Sequence, residues 1–101
     1  MNIEILHIAE CPNWEEAGRR VHGALAATGR PTTSIEYRLL QSSEEAAEFP
    51  FAGSPTILID GVDAFPGSRT SDLACRIYRT PTGFAGMPTV DQLVEVLNER
   101  S

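Results

Sequence analysis

The run Asn2-Ile3-Glu4-Ile5-Leu6-His7-Ile8 ends at Glu10-Cys11-Pro12-Asn13-Trp14, and the hydrophobic period changes there. The first run is rich in branched apolar residues and predicts a buried strand. Beyond it Trp14, Ala17, Val21, Ala24 and Leu25 recur at spacings of three and four, with Glu15, Glu16, Arg19 and Arg20 on the other face. That pattern predicts a helix. Cys11 thus stands at a strand-to-helix junction. Pro12 suits the first helical position and biases Cys11 toward the extended backbone of a cap residue. In that geometry the sulfur faces unpaired N–H groups and the positive end of the helix dipole, which favours the thiolate. Glu10, Glu15 and Glu16 oppose ionisation, so the expectation is a modestly activated thiol.

Downstream, Thr28-Gly29-Arg30-Pro31 is a stop signal, with Gly29 suited to the position just past the helix. Thr33 to Leu40 alternates through Ile35, Tyr37 and Leu39 and reads as a second strand. Ser42-Ser43-Glu44-Glu45 offers a capping box for a short helix that ends before Phe49-Pro50. Pro55-Thr56-Ile57-Leu58-Ile59-Asp60 is the clearest strand, with Pro55 at its tolerated first position. Gly61 turns the chain into a brief strand over Val62 to Phe65. Thr70-Ser71-Asp72 predicts the cap of a short helix reaching about Tyr78, and Thr80 to Met87 reads as a Pro/Gly-rich loop. Thr89-Val90-Asp91-Gln92 is a capping box for a last helix with an apolar face of Val90, Leu93, Val94 and Leu97. The order β-α-β-α-β-β-α-α implies a mixed sheet with helices on both faces.

With 101 residues the chain is expected to form one domain, residues 1–101, with a modest core. No apolar run reaches the length of a membrane span, and the first residues lack a basic-then-apolar signal, so a cytoplasmic address without membrane partners is expected. The net charge of −6 argues against a nucleic-acid partner. Two cysteines, Cys11 and Cys75, supply neither a disulfide framework nor a thiolate-only zinc site. They are either core fillers or chemically purposeful.

The element order, Cys11-Pro12-x-x and Ser54-Pro55-Thr56 together resemble the thioredoxin-like superfamily at glutaredoxin size. The expected fold class is therefore α/β, thioredoxin-like, with a mixed four-stranded sheet and helices on both faces. The resemblance implies that Pro55 is cis beside Cys11, and that the backbone of Ser54 pairs with a substrate peptide or glutathione. It makes Trp14, Ser54, Pro55 and Thr56 the substrate-binding set, and gives Gly67-Ser68-Arg69 the place of a segment that holds the glutathione carboxylate. The redox families put a second cysteine or a serine three residues after the first, and here that residue is Trp14. No local Cys-x-x-Cys disulfide can form, so a resolving thiol within the chain must be Cys75. The thioredoxin-like core of alkylmercury lyases is similar in its two widely separated cysteines, but carries an aspartate where this chain has Trp14. Without that proton donor lyase activity is not expected, whereas mercury binding by the two thiols is compatible with the sequence.

Other residues keep two readings. Cys75 sits in Leu73-Ala74-Cys75-Arg76-Ile77-Tyr78 as a helical core filler or as the partner of Cys11. A disulfide closing that loop of about 64 residues would stabilise the fold by roughly 4 kcal/mol. Trp14 packs against the sheet or the Pro55 loop, or recognises a ligand, and where partly exposed it would cover the sulfur. His7 is a base or metal partner, or a core or edge residue. His22 reads as a solvated helix residue, and Asp63 and Asp72 as turn and cap residues. Arg76 and Arg79 hold a carboxylate or glutathione, or are solvated surface groups.

The leading expectation is thiol–disulfide exchange with Cys11 as nucleophile and Cys75 as resolver, without a metal or organic cofactor. Its partners would be a disulfide-bearing protein or glutathione. The alternatives are a non-catalytic binding module of the same fold and a soft-metal or organomercurial binder using both thiols.

Overall fold

The computed structural model describes residues 1–100. In chain order the elements are β1 (Ile3–His7), α1 (Asn13–Ala27), β2 (Ile35–Leu39), α2 (Ser43–Ala47), β3 (Thr56–Ile59), β4 (Val62–Asp63), β5 (Tyr78–Thr80), β6 (Gly83–Ala85) and α3 (Val90–Glu99). Four strands form a mixed sheet in the order β2-β1-β3-β4. β1 and β2 are parallel, joined by the α1 crossover that such a pair requires. β3 is antiparallel to β1, and β4 to β3.

Both faces of the central strands are buried, which is why β1 and β3 read as nearly continuous apolar runs. Alternation along β1 sends Ile3 and Ile5 to one face, where they pack with Val21, Leu25, Leu93 and Leu97 of α1 and α3. Leu6 and Ile8 belong to the opposite face, with Cys11, Leu40, Ala46 of α2, Phe51 and Leu58. Helices on both faces and the mixed four-stranded sheet are thus present as expected.

Local signals set the helix ends. Past α1, the Gly29 N–H bonds the Ala26 carbonyl at 3.2 Å and the Arg30 N–H bonds the Leu25 carbonyl at 2.7 Å. This is a Schellman closure, and it needs the positive φ of 80° that Gly29 adopts. The Ser42 hydroxyl accepts the Glu45 N–H at the start of α2. Thr89 and Gln92 complete a reciprocal capping box at α3.

Three expected elements differ. The helix from Thr70 toward Tyr78 does not form. The Thr70 hydroxyl accepts the Asp72 N–H at 3.0 Å, the Ala74 N–H turns back to the Asp72 carbonyl, and the Ala74 carbonyl and Arg76 N–H pair with Ser54 across a bridge at Cys75. That pairing replaces the i→i−4 bonds a helix would use. In place of the expected loop from Thr80 to Met87, an antiparallel hairpin of β5 with β6 begins at Tyr78 and turns at Pro81-Thr82. β4 is also shorter than read, because the Asp63 carboxylate accepts the Phe65 N–H and turns the chain.

Candidate functional site

Cys11 lies one residue earlier relative to α1 than the sequence suggested. Pro12 is the N-cap, helical bonding starts at Asn13, and no side chain caps the helix. Among the described residues no first-turn N–H group bonds the sulfur. Cys11 has no accessible surface and packs among Leu6, Ile8, Leu40, Phe51 and Leu58. Its Sγ donates toward the Ser54 carbonyl at 3.5 Å.

The Ser54–Pro55 peptide is cis, as the resemblance implied. Ser54 is fully buried, and each of its polar groups has a partner within the chain. Its N–H donates to the Ala74 carbonyl and its carbonyl accepts the Arg76 N–H, both at 2.8 Å. Its hydroxyl accepts the Ile8 N–H at 3.2 Å, tying the loop to the end of β1. The backbone groups that the resemblance offers to a substrate are occupied here by residues 74 and 76. Pro55 gives its carbonyl to the Tyr78 hydroxyl. Thr56 is buried, and its hydroxyl accepts the Ala52 N–H and donates to the Gly53 carbonyl, shaping the loop. Gly53, at φ 105°, allows the close approach of this segment. A side chain there would bring its Cβ within 2.8 Å of the Arg76 Cβ.

Cys75 forms the parallel bridge to Ser54 and is exposed. Both cysteines are free thiols, and Ser54 brings them together: its carbonyl lies 3.5 Å from the Cys11 Sγ and its backbone bridges Cys75. Interaction with the Cys11 side chain is the main cause that pushes the Cys75 thiol above its ordinary pKa. Partial desolvation and electrostatic interaction with Cys11 and with the Glu10 carboxylate add to it. The helical core-filler reading of Cys75 is thereby corrected. It is the solvent-facing sulfur of a pair whose other member is buried.

The next residue fixes this geometry. Arg76 is buried, with Nη1 2.9 Å from Asp63 Oδ2 and Nη2 donating to the Phe65 carbonyl. Its guanidinium lies 4.5 Å over the Tyr78 ring. Neither the surface nor the ligand-holding expectation for Arg76 describes that role, and Asp63 is an ion-pair partner as well as a turn residue. Sequence reasoning missed the Asp63–Arg76–Tyr78 cluster, because nothing local marks two opposite charges that meet through tertiary packing.

The remaining candidates lie elsewhere. Trp14 stacks on His7 at 4.5 Å, meets Tyr37 edge-on at 5.4 Å, and packs with the α1/α3 side of the core. It belongs to the sheet face opposite the Cys11 cluster, so it packs rather than covers the sulfur. His7 follows Ile3 and Ile5 onto that same face. Its Nδ1 is buried without a hydrogen-bond partner, and desolvation lowers its pKa. His22 is exposed, and Arg79 lies over the Phe84 ring at 5.7 Å. Asp72 sits in the Thr70 turn. No helix follows Gly67-Ser68-Arg69, and Arg69 donates to the Phe49 carbonyl at 2.9 Å. Among the described residues no group of three or more His, Cys, Asp or Glu side chains converges as a metal site, and no helix is long and apolar enough to cross a membrane. No protein-family model, curated protein or solved structure matches this chain.

Proposed function

We propose that the chain is a thioredoxin-like dithiol protein that exchanges disulfides through Cys75 and Cys11. The placing of a buried and an exposed thiol against the same residue, Ser54, carries this reading. The β2-β1-β3-β4 order, with α1 and α3 on one face, α2 on the other and Pro55 beside the thiols, supports the fold assignment. The sequence made Cys11 the nucleophile, but exposure favours the reverse assignment.

An incoming disulfide R–S–S–R′ meets Cys75 first. The Cys75 thiolate attacks one sulfur, forms Cys75–S–S–R, and expels R′S⁻, which takes up a proton. Cys11, as thiolate, then attacks the Cys75 sulfur, closes the Cys11–Cys75 bond and releases RS⁻. Two electrons pass from the protein dithiol to the substrate. The same steps reversed let an external dithiol reduce the protein, with attack again at the exposed sulfur. Arg69 bonded to Phe49 and the missing helix behind Gly67 weaken the case for a glutathione carboxylate site, so a polypeptide disulfide is the favoured partner.

Equilibration in glutathione redox buffers, read by mass spectrometry, tests the proposal. The wild type should collect as the intramolecular disulfide, and Cys11→Ser should trap glutathione or a probe peptide on Cys75. Failure of the Cys11–Cys75 bond to form under oxidising poise sinks the reading. The two thiols adjoining Ser54 also favour a second one, two-coordinate binding of a soft ion such as Hg²⁺. Stoichiometric retention that needs both cysteines, in a chain that forms no disulfide, would select it.

A further inference from the structure

Cys11 reaches solvent only if the segment above it moves. Between Asp72 and Cys75 that segment has one long-range main-chain hydrogen bond among the described residues, from the Ser54 N–H to the Ala74 carbonyl at 2.8 Å. The Ala74 N–H bonds locally to the Asp72 carbonyl, and Leu73 is half-buried against the Phe51 cluster. The C-terminal side is held far more firmly. Arg76 gives its N–H to Ser54, its guanidinium to Asp63 and to the Phe65 carbonyl, and Tyr78 bonds Pro55. Segments with few anchors open locally at lower free energy than the core.

We infer that Asp72–Cys75 is a strap, hinged at Arg76, that closes over Cys11, and that a Cys11–Cys75 disulfide latches it shut. The inference rests on the dithiol reading. In the latching step the two thiols lose two protons and two electrons to an external disulfide such as glutathione disulfide. One S–S bond forms within the chain and two glutathione thiols leave. With the latch made, the Ser54 N–H and carbonyl stay paired and the buried sulfur stays covered. With it reduced, one opening motion uncovers Cys11 and breaks the bond between Ser54 and Ala74.

Amide hydrogen exchange followed by NMR reads this directly. In the reduced protein the Ser54 N–H should exchange roughly tenfold or more faster than core amides of the β1–β3 ladder, with the Arg76 N–H slower than Ser54. Oxidation by glutathione disulfide, with the intramolecular bond verified by mass, should slow Ser54 roughly tenfold or more while leaving the ladder little changed. In Cys75→Ser the oxidant should have no such effect. If Ser54 exchanges as slowly as the ladder in the reduced protein, there is no strap. If a verified disulfide leaves Ser54 exchange unchanged, there is no latch. If no disulfide forms, the latch and the dithiol reading both fall, while fast Ser54 exchange in the reduced chain would still identify the strap.

Discussion

Arg76 and Asp63 form an ion pair at 2.9 Å with both side chains largely buried, and the pair sits one residue beyond Cys75. It joins the turn after β4 to the segment that crosses Ser54. The position of the exposed thiol is thus set by a charge interaction outside the site. Arg76 also covers the Tyr78 ring, whose hydroxyl is pushed well above its usual pKa by burial, so Tyr78 remains the donor to the Pro55 carbonyl at neutral pH. The four residues make one anchored unit behind the thiols.

Breaking that ion pair should cost more than a surface ion pair does. Asp63→Ala leaves the Arg76 guanidinium buried with the Phe65 carbonyl and the Tyr78 ring but no counter-charge, and a loss of about 3 kcal/mol is expected. Asp63→Leu combined with Arg76→Met, which removes both charges, should recover a large part of the loss. Urea midpoints of the three proteins check this. Equal midpoints for wild type and Asp63→Ala would mean the pair holds nothing in place.

Removing the buried thiol should make the exposed one more reactive. Interaction with the Cys11 side chain raises the Cys75 pKa. Cys11→Ala removes it, so Cys75 should alkylate faster than in wild type at pH 8. The same shift has a stability sign. A folded-state pKa raised above the reference value of 9.0 contributes stability that is present below pH 9 and lost as pH rises further. Cys11→Ala should flatten that alkaline decline. Iodoacetamide labelling rates against pH, read at Cys75, settle the first point. Slower labelling in the variant overturns it.

The parts of the fold legible in the sequence are those decided locally. Gly29 ends α1, Ser42 starts α2, and Thr89 with Gln92 starts α3, because each acts through its own or a neighbouring turn. β1 and β3 were legible because burial on both faces leaves long apolar runs. The stretch from Leu73 to Arg76 was misread because its partner is Ser54, a residue far back in the chain. Short apolar runs with a good cap signal do not reveal whether their backbone will bond within a turn or across a gap. The hairpin of Tyr78–Thr80 with Gly83–Ala85 has strands too short to show alternation. The two cysteines were identifiable as candidates. Their relative exposure was not, since it depends on that same nonlocal crossing.

Thr56 should matter for stability although it lies beside the thiol site. Its hydroxyl bonds the Ala52 N–H at 3.0 Å and the Gly53 carbonyl at 2.5 Å, and the side chain is fully buried. Thr56→Val keeps the shape but strands both backbone groups, so a loss of about 2 kcal/mol is expected. Thr56→Ser, which retains the hydroxyl, should lose less. Chemical denaturation of the pair provides the comparison, and a valine variant at least as stable as the serine one would refute it.

His7 should make stability fall toward mild acid. Desolvation lowers its folded-state pKa below the unfolded value of 6.5, so the unfolded chain binds the proton more readily. Stability is therefore complete above about pH 6.5 and declines as pH falls through the folded-state pKa. His7→Phe removes the titrating group and keeps an aromatic surface for Trp14, so it should flatten the pH dependence between neutral and mildly acidic conditions. Trp14, the chain's one tryptophan, lies 4.5 Å from the imidazole and reports unfolding by its fluorescence. Urea midpoints of both proteins across that pH range decide the matter. A wild-type midpoint that rises on acidification, and stops doing so in His7→Phe, would show that attraction of the imidazolium to the Trp14 face exceeds the cost of burying its charge.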